Sequence, residues 1–122
     1  MAKKILIAED SPTMRALIDA SIAALGEYET VFAPNGFEAL RILPRERVDL
    51  VITDINMPDI NGLELVSFIR NNPQYKTTPL IIISTEGSER DREKGLKLGA
   101  DAYLVKPFSP EELQKLIQKY LG

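Results

Sequence analysis

The chain has 122 residues, enough for one domain with a single core, and its 44% hydrophobic and 27% charged content is ordinary for a globular protein. It contains no cysteine and no histidine, which excludes disulfides, thiolate or imidazole metal sites, Ser-His-Asp catalysis and a phosphohistidine on this chain. A net charge of -3 supplies no basic stripe, and no apolar run approaches the ~20 residues that span a bilayer, so neither nucleic acid nor membrane is an expected partner.

Met1-Ala2-Lys3-Lys4 runs straight into the apolar stretch Ile5-Leu6-Ile7-Ala8, leaving no room for a signal peptide and making the cytoplasm the expected location. Ser11-Pro12 then reads as an N-cap followed by proline at the first helical position, where its missing N–H costs nothing. That helix is expected to run to Gly26, with Met14, Leu17, Ile18, Ser21 and Leu25 on one stripe. A second strand–helix unit follows. Asn35 and Glu38 have capping-box spacing, and the helix from Gly36 should stop or kink at Pro44. Leu50-Val51-Ile52-Thr53 is the third strand, and Asn61 with Glu64 opens the third helix. Pro73 and Pro79 bracket a loop before Leu80-Ile81-Ile82-Ile83. Ser88 with Asp91 is a weaker capping pair. Tyr103-Leu104-Val105 is the fifth strand, and Ser109-Pro110-Glu111-Glu112 starts a last helix that buries Leu113, Leu116, Ile117, Tyr120 and Leu121.

Short runs that are apolar on both faces, separated by helices, predict an α/β fold with a parallel sheet. Ligands of such sheets bind at the carboxyl ends of the strands. That edge collects Glu9-Asp10, Asp54, Ser84 and Lys106, each just beyond an apolar run. The first and third strands are the expected neighbours where the strand order reverses, which brings the three carboxylates together. Two like charges ~4 Å apart repel by about 4 kcal/mol at an effective dielectric of 20, so the cluster calls for a cation. Without histidine or cysteine the ion is hard and oxygen-liganded. Mg²⁺ fits, held by carboxylates of this set and a backbone carbonyl at Asn56, whereas nothing resembles a 12-residue Ca²⁺ loop.

Asp54 suits a nucleophile that accepts a phosphoryl group, and Lys106, aimed by Pro107, suits pairing with Asp54 and then with a phosphoryl oxygen. Ser84 suits a phosphoryl ligand. Thr85, Asn56 and Glu86 rim the approach to the site and are candidate rate-tuning residues. Tyr103 is either a half-buried aromatic packing on the last helix or a switch with a buried and an exposed position.

The segments Ile7-Ala8-Glu9-Asp10-Ser11, Ile52-Thr53-Asp54-Ile55-Asn56-Met57-Pro58, Gly62, Ser84-Thr85-Glu86 and Lys106-Pro107-Phe108 together resemble the receiver domain of two-component response regulators. The resemblance covers essentially the whole chain, and Met14-Arg15 with Glu86 is most similar to chemotaxis-type, single-domain regulators. It implies a doubly wound five-stranded parallel sheet of flavodoxin-like order 2-1-3-4-5 with helices on both faces, residues 1–122 forming one receiver domain. It further implies that Asp54 is the phosphoacceptor, that Glu9, Asp10, Asp54 and the Asn56 carbonyl hold Mg²⁺, that Ser84 and Lys106 read the phosphoryl group, and that Tyr103 is the switch aromatic. A histidine kinase would be the phosphodonor, and a target protein would bind the surface of the fourth helix, fifth strand and fifth helix. The chain would be a monomeric signalling protein that catalyses only its own phosphorylation and dephosphorylation.

The chain departs from the family pattern in three respects. Ser84 stands where threonine is commoner, Thr85 where a small residue is usual, and Pro34 and Pro44 flank the second helix closely. Among rival readings, a haloacid-dehalogenase-type phosphatase carries a second aspartate two residues after its nucleophile, where this chain has Asn56. A flavodoxin-like flavin protein needs a phosphate loop that Glu9-Asp10 would repel. The nearest alternative is a degenerate receiver serving as a phosphorylation-independent docking module, against which Asp10, Asp54 and Lys106 all argue.

Overall fold

In the computed structural model, which describes residues 2–85 and 89–122, five strands and five helices alternate along the chain. They are β1 (Lys3–Ala8), α1 (Pro12–Ala23), β2 (Tyr28–Ala33), α2 (Gly36–Ile42), β3 (Leu50–Asp54), α3 (Gly62–Arg70), β4 (Leu80–Ser84), α4 (Glu89–Leu98), β5 (Ala102–Val105) and α5 (Pro110–Leu121). The strands form one parallel sheet in the order β2-β1-β3-β4-β5. The expected fold class and order are therefore the observed ones.

Strand periodicity divides the core into two layers. Leu6, Ala8, Val51, Leu80 and Ile82 face one side, where they meet Ala39 and Leu43 from the α2 segment and Leu65, Val66 and Ile69 of α3. Ile5, Ile7, Leu50, Ile52, Ile81, Ile83 and Leu104 face the other, against Ile18 and Ile22 of α1 and Leu113, Ile117 and Leu121 of α5. Each central strand is thus apolar on both faces because both faces are covered.

Capping follows the sequence closely. Ser11, Asn35, Asn61 and Ser109 each accept a hydrogen bond from the backbone N–H three residues on. Asn61/Glu64 and Ser109/Glu112 complete the reciprocal capping box. Asn35/Glu38 does not, because the Glu38 carboxylate pairs with Arg41 at 2.9 Å instead. The pair Ser88/Asp91 lies partly outside the described residues. As expected from Pro44, α2 ends at Ile42 with Leu43 as its cap.

Two expectations for α1 need correction. The helix ends at Ala23, and Gly26, in the left-handed region at φ +76°, lies beyond the cap in the turn to β2. Leu17 is exposed, and Ile22 takes its place in the buried stripe, where Ile18 and Ile22 are one turn apart and both face the sheet.

At the strands' amino-terminal edge, Arg70 joins three segments. Its guanidinium donates to the carbonyls of Gly99 (2.8 Å), Thr78 (2.7 Å) and Lys76 (3.1 Å) and to the Asp101 carboxylate (3.0 Å). Asp101 also accepts from the N–H of Leu80. The end of α3, the loop into β4 and the turn between α4 and β5 are fastened together, away from the carboxyl edge.

Candidate functional site

The register determines which side chains meet at the carboxyl edge. Ala8 lies opposite Thr53, Asp54 opposite Ile83, and Ser84 opposite Val105. Glu9 therefore leaves β1 level with Asp54 at the end of β3. Ligand atoms from Glu9, Asp10 and Asp54 lie within 4.8 Å of one another. Glu9 and Asp54 are buried, at 2% and 7% exposure, while Asp10 faces solvent.

Lys106 closes the group from the far side of the sheet. Its N–H donates to the Ser84 carbonyl at 2.8 Å, which continues the β4–β5 ladder by one residue. The Lys106–Pro107 peptide bond is cis. The ammonium donates to Asp54 Oδ2 at 3.2 Å and to Glu9 Oε1 at 3.3 Å. The pairing with Asp54 was legible in the sequence, but the second partner, Glu9, was not. It arises because β1 and β3 are adjacent and their carboxylates point to the same place.

One cation does not offset three carboxylates. The Glu9 carboxyl is pushed up from 4.5 to about 7, chiefly by burial, then by the charge of Asp54 and a side-chain hydrogen bond with it, with Lys106 pulling the other way. Burial and the neighbouring Asp54 thus favour the protonated form of Glu9. The donor set consists of hard oxygens only, crowded and short of positive charge, and this fits Mg²⁺.

The loop after β3 shapes the remaining wall. The Asn56 N–H points to Asp54 Oδ1 at 3.4 Å, and Asn56 itself is exposed. Gly62, the first residue of α3, packs so tightly on the Asp54 carbonyl that any side chain there would collide with it. Its N–H donates to the Ile55 carbonyl at 2.9 Å. Thr53, fully buried, donates its hydroxyl to the Asp54 carbonyl. These close approaches were not apparent from residue identities, although a glycine opening a helix hinted at one.

Ser84 is fully buried at the end of β4, and Thr85 is exposed beside it. Glu86, the third rim residue anticipated, lies outside the described residues. Tyr103 is half-buried on the edge strand β5, but not against the last helix. It faces the α3–α4 layer, where Cδ2 lies 3.5 Å from the position a Cβ on Gly95 would take. The reason is strand alternation: Ala102 and Leu104 take the α5 side, so Tyr103 takes the other.

The sequence model of the response regulator receiver domain matches residues 5–118. A chemotaxis protein CheY homologue of Campylobacter jejuni is 40% identical over 120 residues, which are 98% of this chain and 92% of that protein. Among solved structures, chemotaxis protein CheY4 of Vibrio cholerae superposes with a TM-score of 0.91 at 38% identity, covering 99% of this chain and all of that one. The receiver domain of the sensor histidine kinase PA1611 from Pseudomonas aeruginosa, which has a magnesium ion coordinated in its active-site cleft, superposes at 0.89 with 31% identity over 98% of each chain.

Proposed function

The chain belongs to the response regulator receiver domain family, and on that premise we propose that residues 1–122 form one stand-alone receiver that carries a phosphoryl group on Asp54. Receiver domains are signalling modules rather than metabolic enzymes. The phosphodonor in this reading is a separate histidine kinase, which the absence of histidine from this chain requires if the phosphoryl group comes from imidazole. The observation that carries the proposal is the placement of Asp54. It is buried, bounded by two further carboxylates within 4.8 Å, and reached by one ammonium at 3.2 Å.

The chemistry follows from those contacts. An Asp54 carboxylate oxygen attacks phosphorus, the new O–P bond forms as the P–N bond to the donor imidazole breaks, and that nitrogen takes up a proton. Glu9, Asp10, Asp54 and the Asn56 carbonyl would hold Mg²⁺. Bound there, the ion supplies positive charge that offsets the carboxylates and the phosphoryl oxygens. Lys106 leaves the Asp54 oxygen for a phosphoryl oxygen, and the Ser84 hydroxyl donates to another. Hydrolysis empties the site: a water oxygen attacks phosphorus as the P–O bond to Asp54 breaks, Asp54 leaves as a carboxylate, and the water's protons go to the released phosphate and to solvent. Thr85 and Asn56, both exposed at this edge, and Glu86 are the residues that set its rate in this reading.

The output is a change of the α4-β5-α5 surface, with Tyr103 moving between a buried and an exposed position, read by a downstream protein. Similarity to chemotaxis regulators favours a chemotaxis role and a monomer in the cytoplasm. Among the described residues no helix is long and apolar enough to cross a membrane.

Acetyl phosphate tests the reading directly. The wild-type chain with Mg²⁺ gains one phosphoryl group, located on Asp54 by mass spectrometry. Asp54→Asn gains none, and chelating the metal stops labelling of the wild type. Labelling elsewhere, or none with Mg²⁺ present, refutes the proposal and favours the phosphorylation-independent docking module.

A further inference from the structure

We infer that Gly36, on α2 and outside the carboxylate cluster, is a positioning residue for the β3–α3 loop, and through that loop for the metal and phosphoryl site. The inference rests on the reading of that site given above.

The loop is a closed ring. The Gly62 N–H returns to the Ile55 carbonyl at 2.9 Å, and two tight turns lie inside, Met57 N–H to Ile55 O at 3.1 Å and Ile60 N–H to Pro58 O at 2.8 Å. Asp59, the middle residue of the second turn, adopts φ +67°, a left-handed conformation that aspartate tolerates better than most residues with a Cβ. Ile55, Met57 and Ile60 point into the core, while Asn56, Pro58 and Asp59 face solvent. The ring's buried end at Ile60 is open to a restraint from a neighbouring element.

Gly36 supplies it. A Cβ on this residue would stand 2.6 Å from Ile60 Cβ, 2.8 Å from Ile60 Cγ2 and 2.8 Å from the Ile60 carbonyl oxygen. Two of those atoms belong to the backbone or are fixed to it, so no rotamer change relieves the contact. The first turn of α2 therefore acts as a flat stop against Ile60. A side chain at position 36 drives Ile60 outward by a substantial part of an ångström. Because the ring is closed at Ile55 and Gly62, that movement passes to Asn56 and the backbone of Asp54. Mg²⁺ demands near-ideal octahedral geometry and tolerates such a shift poorly.

Local helix propensity gives no reason for lost metal affinity, since alanine suits a helix better than glycine does. The two arguments therefore separate cleanly in Gly36→Ala. Calorimetric titration with Mg²⁺ should show affinity lowered roughly tenfold, the usual scale for disturbing what orients a metal ligand. The amide resonances of Asn56 and Asp54 should move even without metal. Ile60→Ala, which removes the seated side chain without adding atoms, should do the same. Ile18→Ala, in the opposite core layer, loses stability too but should leave the affinity within about twofold. A folded Gly36→Ala with wild-type affinity and unmoved Asn56 and Asp54 amides overturns the inference. Should that variant not fold, wild-type affinity and amide positions in Ile60→Ala overturn it equally. A wild-type chain that binds no Mg²⁺ refutes the proposed function instead, and the amide shifts still decide the role of Gly36.

Discussion

Replacing Glu9 with glutamine keeps the shape of a buried side chain and removes a charge that the fold accommodates poorly. The Glu9 carboxyl rises from 4.5 to about 7, so the folded chain holds this proton more tightly than the unfolded chain does. The sign follows from linkage. Glu9 favours folding fully below its unfolded value of 4.5, and this contribution is lost as the pH rises through about 7. At 1.36 kcal/mol for each tenfold change in proton affinity, the loss is about 3 kcal/mol. Glu9 shares its proton affinity with the neighbouring Asp54, so that figure is an upper bound. In a chelator, wild-type stability from urea unfolding should fall between about pH 5 and about pH 8, and the Glu9→Gln profile should lack this component and cross above it. Saturating Mg²⁺ should restore the wild type at the alkaline end, by about 2.7 kcal/mol at a hundred times the dissociation constant. At the acid end the gain should shrink, because the ion must displace the proton from Glu9. Parallel pH profiles for the two proteins, or a Glu9→Gln chain less stable than wild type at about pH 8 without metal, refute the reasoning.

Lys106→Ala should still be labelled by acetyl phosphate but should not shift the Tyr103 environment, because in the proposed mechanism the ammonium's move from Asp54 to the phosphoryl group supplies the differential interaction that drives the switch; a normal tyrosine fluorescence response in this variant removes Lys106 from the coupling. Thr85 is exposed and β-branched beside the buried Ser84, so Thr85→Ala should speed both small-molecule phosphorylation and spontaneous hydrolysis, by up to about a hundredfold if the approach is displaced by ~1 Å. Equal time courses in the two proteins mean that the Thr85 side chain leaves the approach open, and slower hydrolysis in the alanine variant contradicts the steric argument.

Much of the fold is local information. Ile5–Ala8, Leu50–Ile52 and Leu80–Ile83 are apolar at every position, as suits a strand covered on both faces. Ser11-Pro12, Asn61/Glu64 and Ser109-Pro110 mark helix starts by hydrogen bonds that reach three residues, so their neighbours in sequence are also their partners in space. The strand-end positions of Glu9, Asp10, Asp54, Ser84 and Lys106 were legible for the same reason: in a parallel sheet every strand exits at one edge.

Contacts between distant segments were not legible. Leu17 and Ile22 both fit an apolar stripe, and only the direction from which the sheet and α5 approach α1 exposes one and buries the other. Of the two expectations for Tyr103, packing on the last helix differs from the structure, because its side depends on the alternation of a strand four residues long, whose phase its packed neighbours decide. The Lys106–Glu9 pair, the reach of Arg70 across the opposite edge, and the contact of Gly36 with Ile60 join residues separated by 97, about 30 and about 24 positions. Residue type and spacing determined which groups stand at the site. Tertiary packing decided how close they stand, and therefore the raised proton affinity of Glu9, since folding strips its water and sets another carboxylate beside it.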